Sequence, residues 1–164
     1  MRPLIWILLA VMTLVIQATL LPLIAIHGIR PDLMLIIVVS SALLLGREQG
    51  VGLGFFAGLL QDLASGNIFG LNVLSKMMTG LLAGIMERKV FKEKVLLPLL
   101  AVALATMFNS TLMLIVLFVL GYNLDLPADL MNVLYLTIYN SVFAIPVHYM
   151  ICRITRDWIT DQSG

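Results

Sequence analysis

Three apolar runs, Pro3–Ile29, Val95–Leu124 and Leu130–Cys152, contain no Asp, Glu, Lys or Arg. Each exceeds the roughly 20 residues that a helix needs to cross about 30 Å of hydrocarbon. No water is available there to satisfy an open backbone, so runs of this kind must fold as helices that bond their own N–H and C=O groups. The rest of the chain is of the same character: 61% of its residues are apolar and 12% charged. A soluble domain carries about 25% charged residues, and that class is excluded.

The middle of the chain is divided more finely. Leu33–Gly46, Gly50–Ala64 and Asn72–Glu87 are apolar but shorter than a comfortable span. Folding the first two as a re-entrant hairpin would bury Arg47 and Glu48 at its tip, at several kcal/mol for each uncompensated charge. Three short crossings with snorkelling ends or local bilayer thinning are the better reading. The expectation is an all-α integral membrane protein, one polytopic domain over residues 1–164. Its six transmembrane helices fall at approximately 3–26, 33–46, 50–64, 72–87, 95–120 and 131–152. The loops between them, Ile26–Pro31, Arg47–Gln49, Ser65–Leu71, Arg88–Lys94 and Gly121–Leu130, are too short to hold an extramembrane domain.

Basic residues give an independent test of that plan. With the N-terminus in the cytoplasm, Arg2, Arg47, Arg88, Lys89, Lys92, Lys94, Arg153 and Arg156 are inside, Arg30 is outside, and Lys76 lies within a helix. This is the pattern of the positive-inside rule, and the inverted topology would break it. Both termini are therefore expected in the cytoplasm. A cleaved signal peptide is disfavoured, because the first apolar run is longer than a signal core and no small-x-small site follows it. Trp158, in the tail from Arg153 to Gly164, suits the headgroup level. The single Cys152 reads as a small packing residue.

Residues 50–76, GVGLGFFAGLLQDLASGNIFGLNVLSK, hold the most informative side chains. Asp62 and Lys76 stand near the external ends of consecutive helices joined by a tight turn. A charge inside an apolar segment is costly unless it finds a partner, so such residues are architectural or functional by default. The structural reading is an Asp62–Lys76 ion pair that fixes the third helix against the fourth. The functional reading is a site for a substrate, a proton or a partner. A lone pair lacks the chain of titratable groups that a proton relay needs, which favours the structural reading. Gly54/Gly58 and Gly80/Gly84 repeat the GxxxG spacing, and Gly50 extends the first stripe, so each helix has a face that another backbone can approach closely.

Further along, Asn109 and Asn140 fall near the middle of the fifth and sixth helices at matching depth. A hydrogen bond between them is expected, with Thr106 extending the polar stripe. A ligand pocket at these groups is the sharper alternative. Pro146 should kink the last helix and free the carbonyl of Val142. His148 has no second His or Cys at ligand spacing and matching depth, so a hydrogen-bonded imidazole is expected rather than a metal ligand. The basic segment 88–94 suits anionic lipid or an acidic cytoplasmic partner, or serves as a topology signal alone. Signatures of a nucleophile elbow, a phosphate-binding loop or a zinc protease are missing. No catalytic residue, cofactor, metal or nucleic-acid partner is expected.

Arg30-Pro31-Asp32-Leu33, then Gly54-Phe55-Phe56-Ala57-Gly58-Leu59-Leu60 with Asp62, then Ser65-Gly66 and Gly70-Leu71-Asn72, resemble the rod-shape-determining MreD family in order and spacing. By that resemblance Pro31, Asp32, Gly54, Gly58, Asp62, Gly66 and Asn72 are motif positions, whereas Lys76 has no counterpart. The resemblance implies a fold like the S component of energy-coupling-factor vitamin transporters. It also implies a non-enzymatic role in the bacterial cell-elongation complex at the inner membrane, scaffolding peptidoglycan synthesis beside the bitopic MreC, the actin-like MreB, and RodA with its transpeptidase. The helix of an MreC-like partner is then expected on the face of Gly50, Gly54 and Gly58, with Gly80/Gly84 as the next candidate. The alternative is the substrate-binding component of a vitamin transporter, for whose external cavity the loops offer few polar or aromatic groups: Asn67, Phe69, Tyr122 and Asn123.

The topology is directly testable. A cysteine placed at any position from 88 to 94 is expected to escape a membrane-impermeant thiol reagent in intact cells and to react after permeabilisation. Labelling from outside would invert the assignment.

Overall fold

The computed structural model describes residues 2–66, 68–86 and 96–160. Among them are six α-helices: α1 (Arg2–Thr19), α2 (Leu33–Leu45), α3 (Arg47–Ser65), α4 (Leu71–Met86), α5 (Leu96–Val119) and α6 (Leu126–Thr160). The segment 88–94, Asn67 and the Trp158 side chain, on which sequence expectations fall, lie outside what is described. The described part is all-helical, with one isolated bridge between Ile26 and Ile29 in place of any strand.

Boundaries differ from the expected ones where local chemistry intervenes. The first helix stops at Thr19 rather than near residue 26, because Pro22 opens a short 3₁₀ turn, Leu21–Ile24. The chain then reverses at His27–Gly28, closed by reciprocal Ile26–Ile29 backbone bonds of 3.2 and 3.0 Å. No loop exists at Arg47–Gln49; those residues form the first turn of α3, and Gly46 alone separates it from α2. Gly46 has φ 91° and ψ −179°, a backbone state open essentially to glycine only. At the other end, α6 begins earlier and ends later than expected, and it continues through Pro146.

The centre of the bundle is α2. Every residue from Leu33 to Leu43 is buried, and α2 touches each of the other five helices. It has no polar stripe because it has no solvent-facing or lipid-facing side, as expected of a helix buried all round. Around it, Leu35, Ile36, Val39 and Ala42 pack with Ala83, Val102 and Ala144 from α4, α5 and α6. Two helical stretches, Pro98–Val119 and Leu126–Thr155, are long and apolar enough to cross a membrane, whereas Trp6–Thr19, Leu33–Leu45 and Leu71–Met86 are apolar but shorter. Large side chains such as Phe118, Leu134, Val142 and Tyr149 stand exposed along α5 and α6.

The glycine stripes meet each other. A Cβ placed on Gly50 would lie 2.5 Å from the carbonyl oxygen of Gly80, one on Gly54 2.5 Å from that of Lys76, and one on Gly58 2.5 Å from that of Asn72. A Cβ on Gly84 would run into the backbone of Arg47. Both faces expected to receive a foreign helix are therefore filled by the protein's own α3–α4 pair. The reason is proximity: two complementary bare faces joined by a turn of a few residues meet at a far higher effective concentration than any separate partner provides.

The contrast with Gly52 makes this testable, because a Cβ there meets nothing within 4 Å. Gly54→Leu or Gly58→Leu should destabilise the detergent-purified protein by at least the roughly 1–3 kcal/mol typical of overpacking, since the obstacle is backbone. Gly52→Ala should be neutral or stabilising by up to about 1 kcal/mol. Equal loss of melting temperature at all three positions would contradict the interface.

Candidate functional site

Several buried polar groups, Asp62 and Lys76 among them, collect where the N-termini of α2 and α4 meet the C-terminal end of α3. The local sequence explains how each arrives there. Gly66, at φ 63°, ends α3 in a left-handed cap, a conformation that glycine adopts at little cost. The chain then returns through Gly70 into α4. The first N–H groups of a helix have no partner within the helix, and Asp62, still on α3, supplies one. Its carboxylate accepts from the backbone N–H groups of Gly70 (2.9 Å), Asn72 (3.1 Å) and Val73 (3.2 Å), and from Asn72 Nδ2 (2.9 Å). The negative charge also lies favourably at the positive end of the α4 dipole. Asp62 thus caps a helix to which it does not belong.

On α2, Asp32 is its own helix's cap, accepting from Leu35 N–H at 3.0 Å through Oδ1. Its other oxygen takes the ammonium of Lys76 at 2.8 Å, and Lys76 is fully buried. Lys76 also donates to Asn72 Oδ1 at 3.3 Å. On the far side of α2, Asp32 N–H donates to Asn140 Oδ1 at 2.8 Å. Asn140 Nδ2 donates to Thr106 Oγ1 at 3.0 Å, and that hydroxyl donates to the Val102 carbonyl at 2.8 Å. One connected chain of bonds therefore runs Asp62–Asn72–Lys76–Asp32–Asn140–Thr106 and ties α3, α4, α2, α6 and α5 together.

Two sequence expectations are corrected by this geometry. Asp62 and Lys76 do not pair: the Asp62 oxygens are occupied by N–H donors, and Asn72 stands between the two residues. Lys76, a turn further along α4, reaches the carboxylate of Asp32 instead. Asn109 and Asn140 do not bond either. Asn140 is committed to Asp32 and Thr106, while Asn109 Nδ2 donates to Met113 Sδ at 3.6 Å and its Oδ1 has no partner among the described residues. Of the family-motif positions, Pro31, Asp32, Asp62, Gly66 and Asn72 gather at this end of the bundle. Asp32 as the Lys76 partner was legible in principle: it opens α2 beside Pro31, at the depth at which Lys76 follows the α3–α4 turn. Elsewhere, His148 Nε2 lies 3.4 Å from Cys152 Sγ one turn on along α6.

An ion pair and a set of amides that bond one another at helix ends are machinery for holding helices, and they define an all-α membrane protein interlocked from within. The family model of the rod shape-determining protein MreD matches residues 1–156 of the 164, and the chain belongs to that family. It is accordingly a membrane protein that determines cell shape. No curated protein and no solved structure matches it.

Removing one member of a buried ion pair strands the other, at roughly 3–5 kcal/mol. Asp32→Asn and Lys76→Met should each cost about that much in unfolding measurements in detergent, and the double variant should recover part of it. Asp62→Asn should destabilise as well, without rescue by Lys76→Met. Stronger coupling of 62 with 76 than of 32 with 76 in the double-mutant cycles would overturn the assignment.

Proposed function

We propose that the chain is a six-crossing, non-enzymatic component of the bacterial cell-elongation complex in the inner membrane. In this reading it scaffolds peptidoglycan synthesis through an MreC-like bitopic partner, in company with MreB, RodA and its transpeptidase. Both termini lie in the cytoplasm, and the fold is of the kind found in S components of vitamin transporters. The family match over residues 1–156 carries the proposal. The arrangement of the interior supports it: Asp32, Asn72, Lys76, Asn140 and Thr106 are bonded to one another, which leaves few groups to greet a polar vitamin. With the glycine stripes occupied internally, the partner's helix meets an outer face built of larger side chains.

The short helices α2 and α4 fit a crossing protein despite their length. At about 1.5 Å per residue, α2 spans roughly 20 Å, and its ends carry groups that draw water and headgroups inward. Depleting the protein in a rod-shaped host should round the cells, and affinity purification from intact membranes should recover an MreC-like protein. Normal rods that acquire a vitamin requirement would favour the transport reading.

A further inference from the structure

The segment from Ile24 to Asp32, which carries the chain from the 3₁₀ turn into α2, is held at both feet by consecutive residues of α6. The Tyr139 hydroxyl donates to the Ile24 carbonyl at 2.9 Å, and Asn140 Oδ1 accepts from Asp32 N–H at 2.8 Å. One turn back along α6, the Tyr135 ring meets the His27 ring at the tip of the segment, with centroids 6.2 Å apart. Between the feet the segment closes on itself through the Ile26–Ile29 bonds. The turn places His27 at φ 53° and Gly28 at φ 80°, and a non-glycine residue held at positive φ stores strain. Apolar side chains do little to fasten it, since Leu23, Ile24 and Ile26 turn outward and stand 80, 44 and 55% exposed. The segment ends at the central ion pair, where Lys76 is wholly buried and the Asp32 side chain is 14% exposed.

We propose that residues 24–31 are a lid over the Asp32–Lys76 pair, latched to α6 by Tyr139 and Tyr135. Closed, the lid limits how much water reaches the pair, and opposite charges attract more strongly the less water surrounds them. Released, it hydrates the carboxylate and weakens its hold on Lys76. The latch is light enough to open: one hydroxyl bond and one ring contact are set against the strain of the turn, while Asn140 keeps its bond to Asp32 below. Both parts of the latch stand on α6, so a shift of α6 against α2 frees Ile24 and His27 together. The grip of α2 on α4 is thereby adjustable from α6 with no change in the paired residues.

The test is acetylation of the full-length protein in detergent by an amine-reactive reagent, read at Lys76 by peptide mass spectrometry, beside hydrogen exchange of residues 24–32. Tyr139→Phe deletes the latch hydroxyl and keeps the ring. It should raise both rates about fivefold to tenfold, the effect of losing one ordinary hydrogen bond, with exchange in α3 unchanged. His27→Asn keeps a residue that tolerates positive φ and deletes the ring, so it should act in the same direction even where Tyr139→Phe folds poorly. Tyr122→Phe, in the turn between α5 and α6, should leave both rates at the wild-type value. Wild-type acetylation of Lys76 in well-folded Tyr139→Phe and His27→Asn would overturn the lid. A rise in exchange that spreads equally through α3 and α4 would overturn it too, since that is a loosening of the whole bundle.

Discussion

The bond between the Lys76 ammonium and the Asp32 carboxylate is the interaction on which the rest of the bundle depends. A buried ammonium without a counter-ion is too costly to keep, so α4 must stand where Lys76 reaches the start of α2. Asp32 is in turn held by Leu35 on its own helix and, through its N–H, by Asn140 of α6. Fixing this one contact sets the register of α2, α4 and α6 together, and Asn72 and Thr106 extend it to α3 and α5.

Two kinds of force divide the work. Close approach of α3 and α4 comes from missing side chains, with dispersion and backbone contacts supplying an attraction that is short-ranged but weakly directional. Hydrogen bonds among amides, hydroxyls and carboxylates supply the direction. Glycine faces alone permit the pair to slide by a turn; the Asp62 cap on α4 forbids it, since its carboxylate matches three specific N–H groups. The large outward side chains of α5 and α6 contribute little to this specificity and remain for lipid or partners.

How much of this was legible beforehand follows the same division. The long charge-free runs announced α5 and α6, and glycine spacing announced close packing on α3 and α4, because both signals are periodic and local. The occupant of the glycine faces was not legible: spacing says that a backbone can approach, not whose. The pairing of polar groups failed for a similar reason. Asp62 and Lys76 are near in sequence and opposite in charge, yet the nearest donors to Asp62 were backbone N–H groups, which no residue letter displays. Asn109 and Asn140 share a depth, but rotation about the helix axis decides which asparagine faces α2, and the greasy surroundings of α5 carry almost no amphipathic record of that rotation.

The reach of the Asp32 contacts along the chain has a consequence for biogenesis. Asp32 is separated by 44 residues from Lys76 and by 108 from Asn140. During synthesis α2 is therefore made before either partner exists. Its carboxylate must wait in contact with water or the insertion machinery until α4 is delivered, and its N–H until α6 is complete. A helix destined for the middle of the bundle is among the first to arrive and the last to be enclosed. The native arrangement is consequently closed by its final helix, and a chain truncated before α6 lacks the residue that completes the centre.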